Sequence, residues 1–103
     1  MVNDGDYQHA LQILLITIEL HLPNAHSLKE KRGSIKSCIE RLKHSLNASV
    51  AEVAFTEKWQ RSVIALTIVG SDKHHMEKSL GRAENIVTQL SELSIVRIER
   101  QWL

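Results

Sequence analysis

This chain is short of the residues that announce many functions. It has one cysteine, one proline and four glycines in 103 residues, and aromatics make up only 4%. A lone Cys38 permits no internal disulfide, so a reducing cytoplasm is the expected compartment. No apolar run approaches the ~18–20 residues of a membrane-spanning helix, and even the run Ile13–Ile16 is strand-sized, so no membrane partner is expected. Met1–His9 carries acidic residues and no apolar core, which argues against a secretion signal. Residues 1–10 read as a disordered polar tail, and residues 11–103 as a single domain with one core. The sequence contains no P-loop, no GxGxxG and no GxSxG. HExxH and paired Cys/His spacings are also missing, so neither metal nor cofactor is expected. His21, His26, His74 and His75 flank the two predicted helix N-termini and read as loop and cap residues.

What is present is a polarised charge. The net charge is only +1. Yet Leu28–Leu46 holds Lys29, Lys31, Arg32, Lys36, Arg41 and Lys43 against Glu30 and Glu40, while the rest of the chain is acidic on balance.

Hydrophobic periodicity supplies the elements. Leu14, Ile16, Ile18, Leu20 and Leu22 recur with period two and predict a strand over Leu11–Leu22, ended by Pro23-Asn24. Ser27-Leu-Lys-Glu30 fits a capping box. Leu28, Ile35, Ile39, Leu42 and Leu46 then form a helical stripe, with Cys38 beside it. Val50–Phe55 is a second strand, interrupted by Glu52. Thr56–Arg61 is a polar loop holding Trp59. Ser62–Val69 is a third strand, with Ile64, Leu66 and Ile68 on one face. Ser71 or Asp72 caps a second helix with Met76, Leu80, Ala83, Val87 and Leu90 as its stripe. Ile95–Trp102 is the last strand, with Val96, Ile98 and Trp102 expected on one side. No repeat, linker or low-complexity segment interrupts the chain.

The order β-α-β-β-α-β predicts an α+β, ferredoxin-like βαββαβ sandwich. Its four-stranded antiparallel sheet is expected in the order 4-1-3-2, with two helices on one face. The even-numbered apolar sets of the first and third strands should face the helices. The opposite face would then carry Ile13, Leu15, Val63, Ala65 and Val69, and an exposed apolar patch of that kind marks an interface.

Four segments carry a resemblance: Glu19-Leu-His-Leu-Pro, Ser27-Leu-Lys-Glu-Lys-Arg32, Val50-Ala-Glu-Val53 and Trp59-Gln-Arg61. In this order and spacing the chain resembles the YlxP-like family of small bacterial proteins, a domain of unknown function. The resemblance spans about residues 11–103 and implies the same ferredoxin-like fold. Genes of that family often lie beside those for translation initiation factor two, ribosome-binding factor A and a tRNA pseudouridine synthase. That neighbourhood implies an RNA or ribosome setting and supplies no catalytic residues.

Lys29, Lys31, Arg32, Lys36 and Lys43 are the candidate nucleic-acid contacts, as cations clustered on one helix neutralise phosphates. A solvated helix face with pairs such as Lys36–Glu40 is the alternative. Leu15, Val63, Ala65 and Trp59 are the candidate partner contacts of a self-associating scaffold or ligand-sensing module assembled through the apolar sheet face, with a homo-oligomer as the expected partner. The central strands offer no aromatic, so base stacking on the sheet, as in an RNA-recognition motif, is not expected. Trp59 reads either as core folded over the sheet edge or as a partner anchor. Cys38 reads as inert packing. An acylphosphatase needs an arginine-bearing phosphate loop after the first strand, and Leu22–His26 has none. A small enzyme around Glu19, His21 and Glu52 has no motif behind it, so the protein is expected to be a non-enzymatic binding module.

Overall fold

The structure is a computed structural model and describes residues 7–103. Alternation of apolar residues builds β1 (Gln12–His21), whose Leu14, Ile16, Ile18 and Leu20 are buried. It leads into α1 (Leu28–Leu46), then β2 (Ser49–Ala54), β3 (Arg61–Gly70), α2 (Lys73–Thr88) and β4 (Ser94–Trp102). The sheet order is β2-β3-β1-β4, which is 4-1-3-2 read from the other edge, and every pairing is antiparallel. Both helices pack on the face that buries Ile16, Ile18, Ile64 and Leu66. Of the expected tail, residues 1–6 lie outside the described residues, while Tyr7–His9 forms a short 3-10 turn.

Local chemistry sets the helix ends. Ser27, in an extended conformation, accepts the Glu30 N–H at 3.0 Å. The Glu30 carboxylate accepts from the His26 N–H at 2.7 Å, one residue earlier than a standard capping box. At the other end Asn47 adopts a left-handed conformation (φ 50°), which stops α1. Asp72, not Ser71, caps α2 by accepting the His75 N–H at 3.1 Å.

Two bulges change which side chains face the core. The β1–β4 register slips at Glu19/Leu20, where Arg97 and Ile95 are the successive partners and Val96 is the extra residue. Ile95 therefore joins Ile98 and Trp102 against the core, and Val96 is 60% exposed. This corrects the expected inward set of β4, because strict alternation does not survive an inserted residue. The β2–β3 register slips in the same way at Glu52/Ala54, leaving Val53 exposed.

Cys38 lies fully buried in the α1 stripe. Burial, first, pushes its thiol up from 9.0 to about 11; the Glu92 carboxylate adds to this and Arg41 opposes it. The native thiol therefore keeps its proton, which leaves it a poor nucleophile. The unfolded chain ionises near the ordinary value, so this group favours folding below about pH 9. That contribution is lost as pH rises from about 9 through 11. The urea midpoint of the wild type should fall more steeply over this interval than that of Cys38→Ala. Parallel pH slopes in the two proteins would contradict a raised native thiol.

Candidate functional site

The first site residue the structure relocates is Lys31. It was expected among the phosphate-contacting cations, but its side chain is 0% exposed. Its position explains the burial. Lys31, Ile35, Cys38, Leu42 and Leu46 follow one another at helical spacing and are the buried residues of α1. Lys31 is thus the first member of the core stripe and has no access to a phosphate.

The ammonium is satisfied internally. Lys31 Nζ lies 2.7 Å from Glu52 Oε2, and donates to the Phe55 carbonyl at 2.7 Å and the Thr56 carbonyl at 3.3 Å. Three donors meet three acceptors. Glu52 reaches this point because it pairs with Ile64 in the sheet and so faces the helices. Ser62, fully buried on β3, donates its hydroxyl to the same carboxylate oxygen at 2.5 Å. Among the described residues, no buried side-chain nitrogen or oxygen lacks a partner.

This network holds the β2–β3 loop. Phe55 is in the left-handed region at φ 60°, a conformation that costs a non-glycine residue about 1–3 kcal/mol. Its carbonyl accepts from Lys31 and from the Lys58 N–H at 3.0 Å, and the Arg61 guanidinium stacks 4.0 Å over its ring. Further on, the Gln60 amide donates to the carbonyls of Pro23 and Ala25, each at 3.2 Å. The Leu22 N–H donates back to the Gln60 carbonyl at 3.0 Å. The loop is thereby fastened to the turn between β1 and α1.

Beside this fastened loop opens a cleft of about 670 Å³, lined in part by Glu19, His21, Lys58, Trp59, Arg61 and Val96. Arg61 bonds Glu19 at 3.3 Å across the β1–β3 pair. Trp59 is 52% exposed on the cleft wall, so the reading of this residue as core is excluded. Glu52 points to the helix face while Glu19 and His21 line the cleft, so those three residues do not meet in one site.

The other expected site residues separate into two surfaces. Lys29, Arg32, Lys36 and Lys43 are exposed along α1, and Arg32 makes a loose ion pair with Glu57 at 4.0 Å. No Lys36–Glu40 ion pair forms among the described residues. Leu15, Val63 and Ala65 are half-buried on the helix-free sheet face, as are Ile13 and Thr17. Polar groups break that face toward the cleft, where Glu19 pairs with Val63 and Arg97 forms an ion pair with Glu99. Among the described residues, no group of three His, Cys, Asp or Glu side chains is placed to hold a metal ion, and no helix is long and apolar enough to cross a membrane.

Topology and sheet order define a ferredoxin-like α+β sandwich, here with a cleft at the end where β1 passes into α1. Residues 13–100 match the family described as "Protein of unknown function (DUF503)", and the chain belongs to that family. It is 29% identical over 79 residues to the uncharacterized protein YlxP of Bacillus subtilis (strain 168), covering 77% of this chain and 86% of that protein. Among solved structures, the structural-genomics protein YJCS superposes with a TM-score of 0.50 at 11% identity, over 86% of this chain and 96% of that one. Bacillus subtilis YXEP, described as a dinuclear metal binding peptidase, gives 0.52 at 13% identity, over 90% of this chain but 26% of that one. At such identities these likenesses show the fold alone. The four segments that carried the YlxP-like resemblance come together here. They supply the Pro23 carbonyl, Lys31, Glu52 and Gln60 to the fastening of the loop, and Glu19, His21, Trp59 and Arg61 to the cleft.

Replacing Lys31 alone leaves a mostly buried carboxylate without its counter-charge and takes the ammonium from the Phe55 and Thr56 carbonyls. Lys31→Met should therefore cost about 3–5 kcal/mol in urea unfolding. Lys31→Met combined with Glu52→Gln should cost clearly less than the sum of the single changes. Strict additivity would show that the two side chains are not energetically coupled.

Proposed function

We propose that this protein is a non-enzymatic binding module that contacts the phosphates of structured RNA, in a ribosome or translation setting, through the exposed face of α1. The observation that carries this reading is the disposition of Lys29, Arg32, Lys36 and Lys43. All four are exposed on one helix, and only Arg32 has an ion-pair partner among the described residues, at 4.0 Å. Unpaired cations in a row release counterions when they meet a polyanion, which favours association at low salt. The gene neighbourhood implied by the family resemblance supports RNA as the polyanion. A reducing cytoplasm is the compartment in which this reading places the protein.

Titration with ribosomal subunits and with structured RNA at rising salt tests the reading. Three or four phosphate contacts should make binding roughly 40- to 150-fold weaker at 200 mM than at 50 mM salt. Lys29→Glu with Lys36→Glu should remove most of the affinity and flatten the salt dependence. Salt-insensitive binding, or binding indifferent to this double change, would overturn it.

A second reading is a self-associating scaffold built on the open sheet face, with Leu15, Val63 and Ala65 at the contact. It is favoured by the apolar end of that face, where Ile13 lies opposite Val69 and Val69 is 68% exposed. Light scattering should then report an oligomer that Leu15→Glu dissociates. A monomer at high protein concentration removes this reading.

A further inference from the structure

Trp59 is the side chain the fold leaves unexplained. A large aromatic exposed to water usually folds back onto apolar surface. Trp59 instead stays 52% exposed on a loop whose carbonyls accept from Lys31, the Lys58 N–H and the Leu22 N–H, and whose Gln60 side chain donates to the carbonyls of Pro23 and Ala25. Such anchoring removes much of the entropy cost that a mobile loop would bear when a ligand orders it. Val96, pushed outward by its bulge and 60% exposed, adds a second apolar surface to the same cleft.

The polar groups around Trp59 narrow the ligand. Lys58 and Arg61 bring two positive charges to the cleft. Lys58 has no ion-pair partner among the described residues, whereas Arg61 is shared with one oxygen of Glu19. The other Glu19 oxygen makes no side-chain hydrogen bond among the described residues and is an acceptor within the cleft. His21 adds an imidazole. An aromatic face, a free cation and nearby acceptor and donor groups together suit a planar heterocycle joined to an anion. The volume, about 670 Å³, falls in the usual range for small-molecule sites.

We propose that this cleft takes one unstacked nucleotide of a single-stranded RNA segment, its base stacked on Trp59 and its phosphate held by Lys58 and Arg61. The inference rests on the RNA reading of α1 and adds to it: α1 meets the phosphates of structured RNA, and the cleft selects a strand with a free base. Stacking on an aromatic side chain is tolerant of base identity, so the cleft distinguishes single from double strands more than one sequence from another. Arg32, 4.0 Å from Glu57, links the helix surface to the loop that carries Trp59.

The test uses the full chain carrying Trp102→Phe, in which Trp59 is the sole tryptophan. A single-stranded RNA hexamer should quench Trp59 fluorescence saturably, and a blunt duplex of the same sequence should not. In the chain that keeps Trp102, Trp59→Ala should weaken hexamer binding about tenfold, as read by anisotropy of a labelled strand, and leave duplex binding and its salt slope unchanged. Trp59→Phe should retain most of the hexamer affinity. Trp59 is exposed, so these changes should leave the urea midpoint nearly as it is. Hexamer binding with no quenching and no effect of Trp59→Ala overturns the cleft proposal and leaves the helix reading intact. Quenching that survives Lys29→Glu with Lys36→Glu at full affinity supports the cleft and removes the helix reading. Quenching by an acidic peptide but not by the hexamer overturns the nucleotide assignment, and absence of any RNA binding overturns both readings.

Discussion

A buried ammonium group that must be satisfied on every side governs the cleft end of this molecule. Lys31 is wholly inside, where an unpaired charge would be severely destabilising. Its three protons are taken by a β2 carboxylate and two loop carbonyls, so one side chain joins α1, β2 and the chain that follows β2. An apolar residue of similar size would fill the same space but take the tie between α1 and those carbonyls away. The interaction thus matters chiefly for placement. It keeps Phe55 in a left-handed conformation, and Phe55 in turn receives Arg61 over its ring. Trp59 and the cleft follow from that arrangement.

The same end of the sheet carries both β-bulges. The slip that frees Val96 occurs beside Glu19, and the slip that frees Val53 occurs beside Val63, which is the residue paired with Glu19. A bulge re-aims one side chain and tightens the local twist, devices common beside functional sites. Away from the cleft the strands pair regularly from Gln12↔Gly70 to Thr17↔Ala65, and the open face becomes more apolar. The sheet is therefore a regular scaffold at one end and an adapted rim at the other. On the proposed reading, the cations of α1 contribute affinity and the rim contributes selectivity between strand types.

Much of this was legible from pattern alone. Period-two apolar residues placed β1 and β3, the stripe through Ile35 and Leu42 placed α1, and Ser27 marked its start. Those signals are local, governed by backbone geometry within a few residues. Lys31 shows where local reading failed. Its charge suggested the surface, although its position four residues before Ile35 put it on the buried stripe. Glu52, alternating with Val50, carried the complementary sign on the other side of the core. Reading position ahead of charge would have joined them. Val96 failed differently, since no sequence signal marks the inserted residue that reverses the alternation of β4.

The sequence by itself determined the topology, the start of α1, the excess of cations on α1 and the membership of a YlxP-like group, because each depends on periodicity or on residues close together in the chain. Tertiary structure alone decided which cations reach solvent and which one is internal. It also decided that Trp59, Arg61, His21 and Glu19 share one cleft. The physical reason is that these outcomes depend on partners far apart in the chain. The Lys31 ammonium has its low-energy position only once a carbonyl 24 residues away has been brought to it by the sheet.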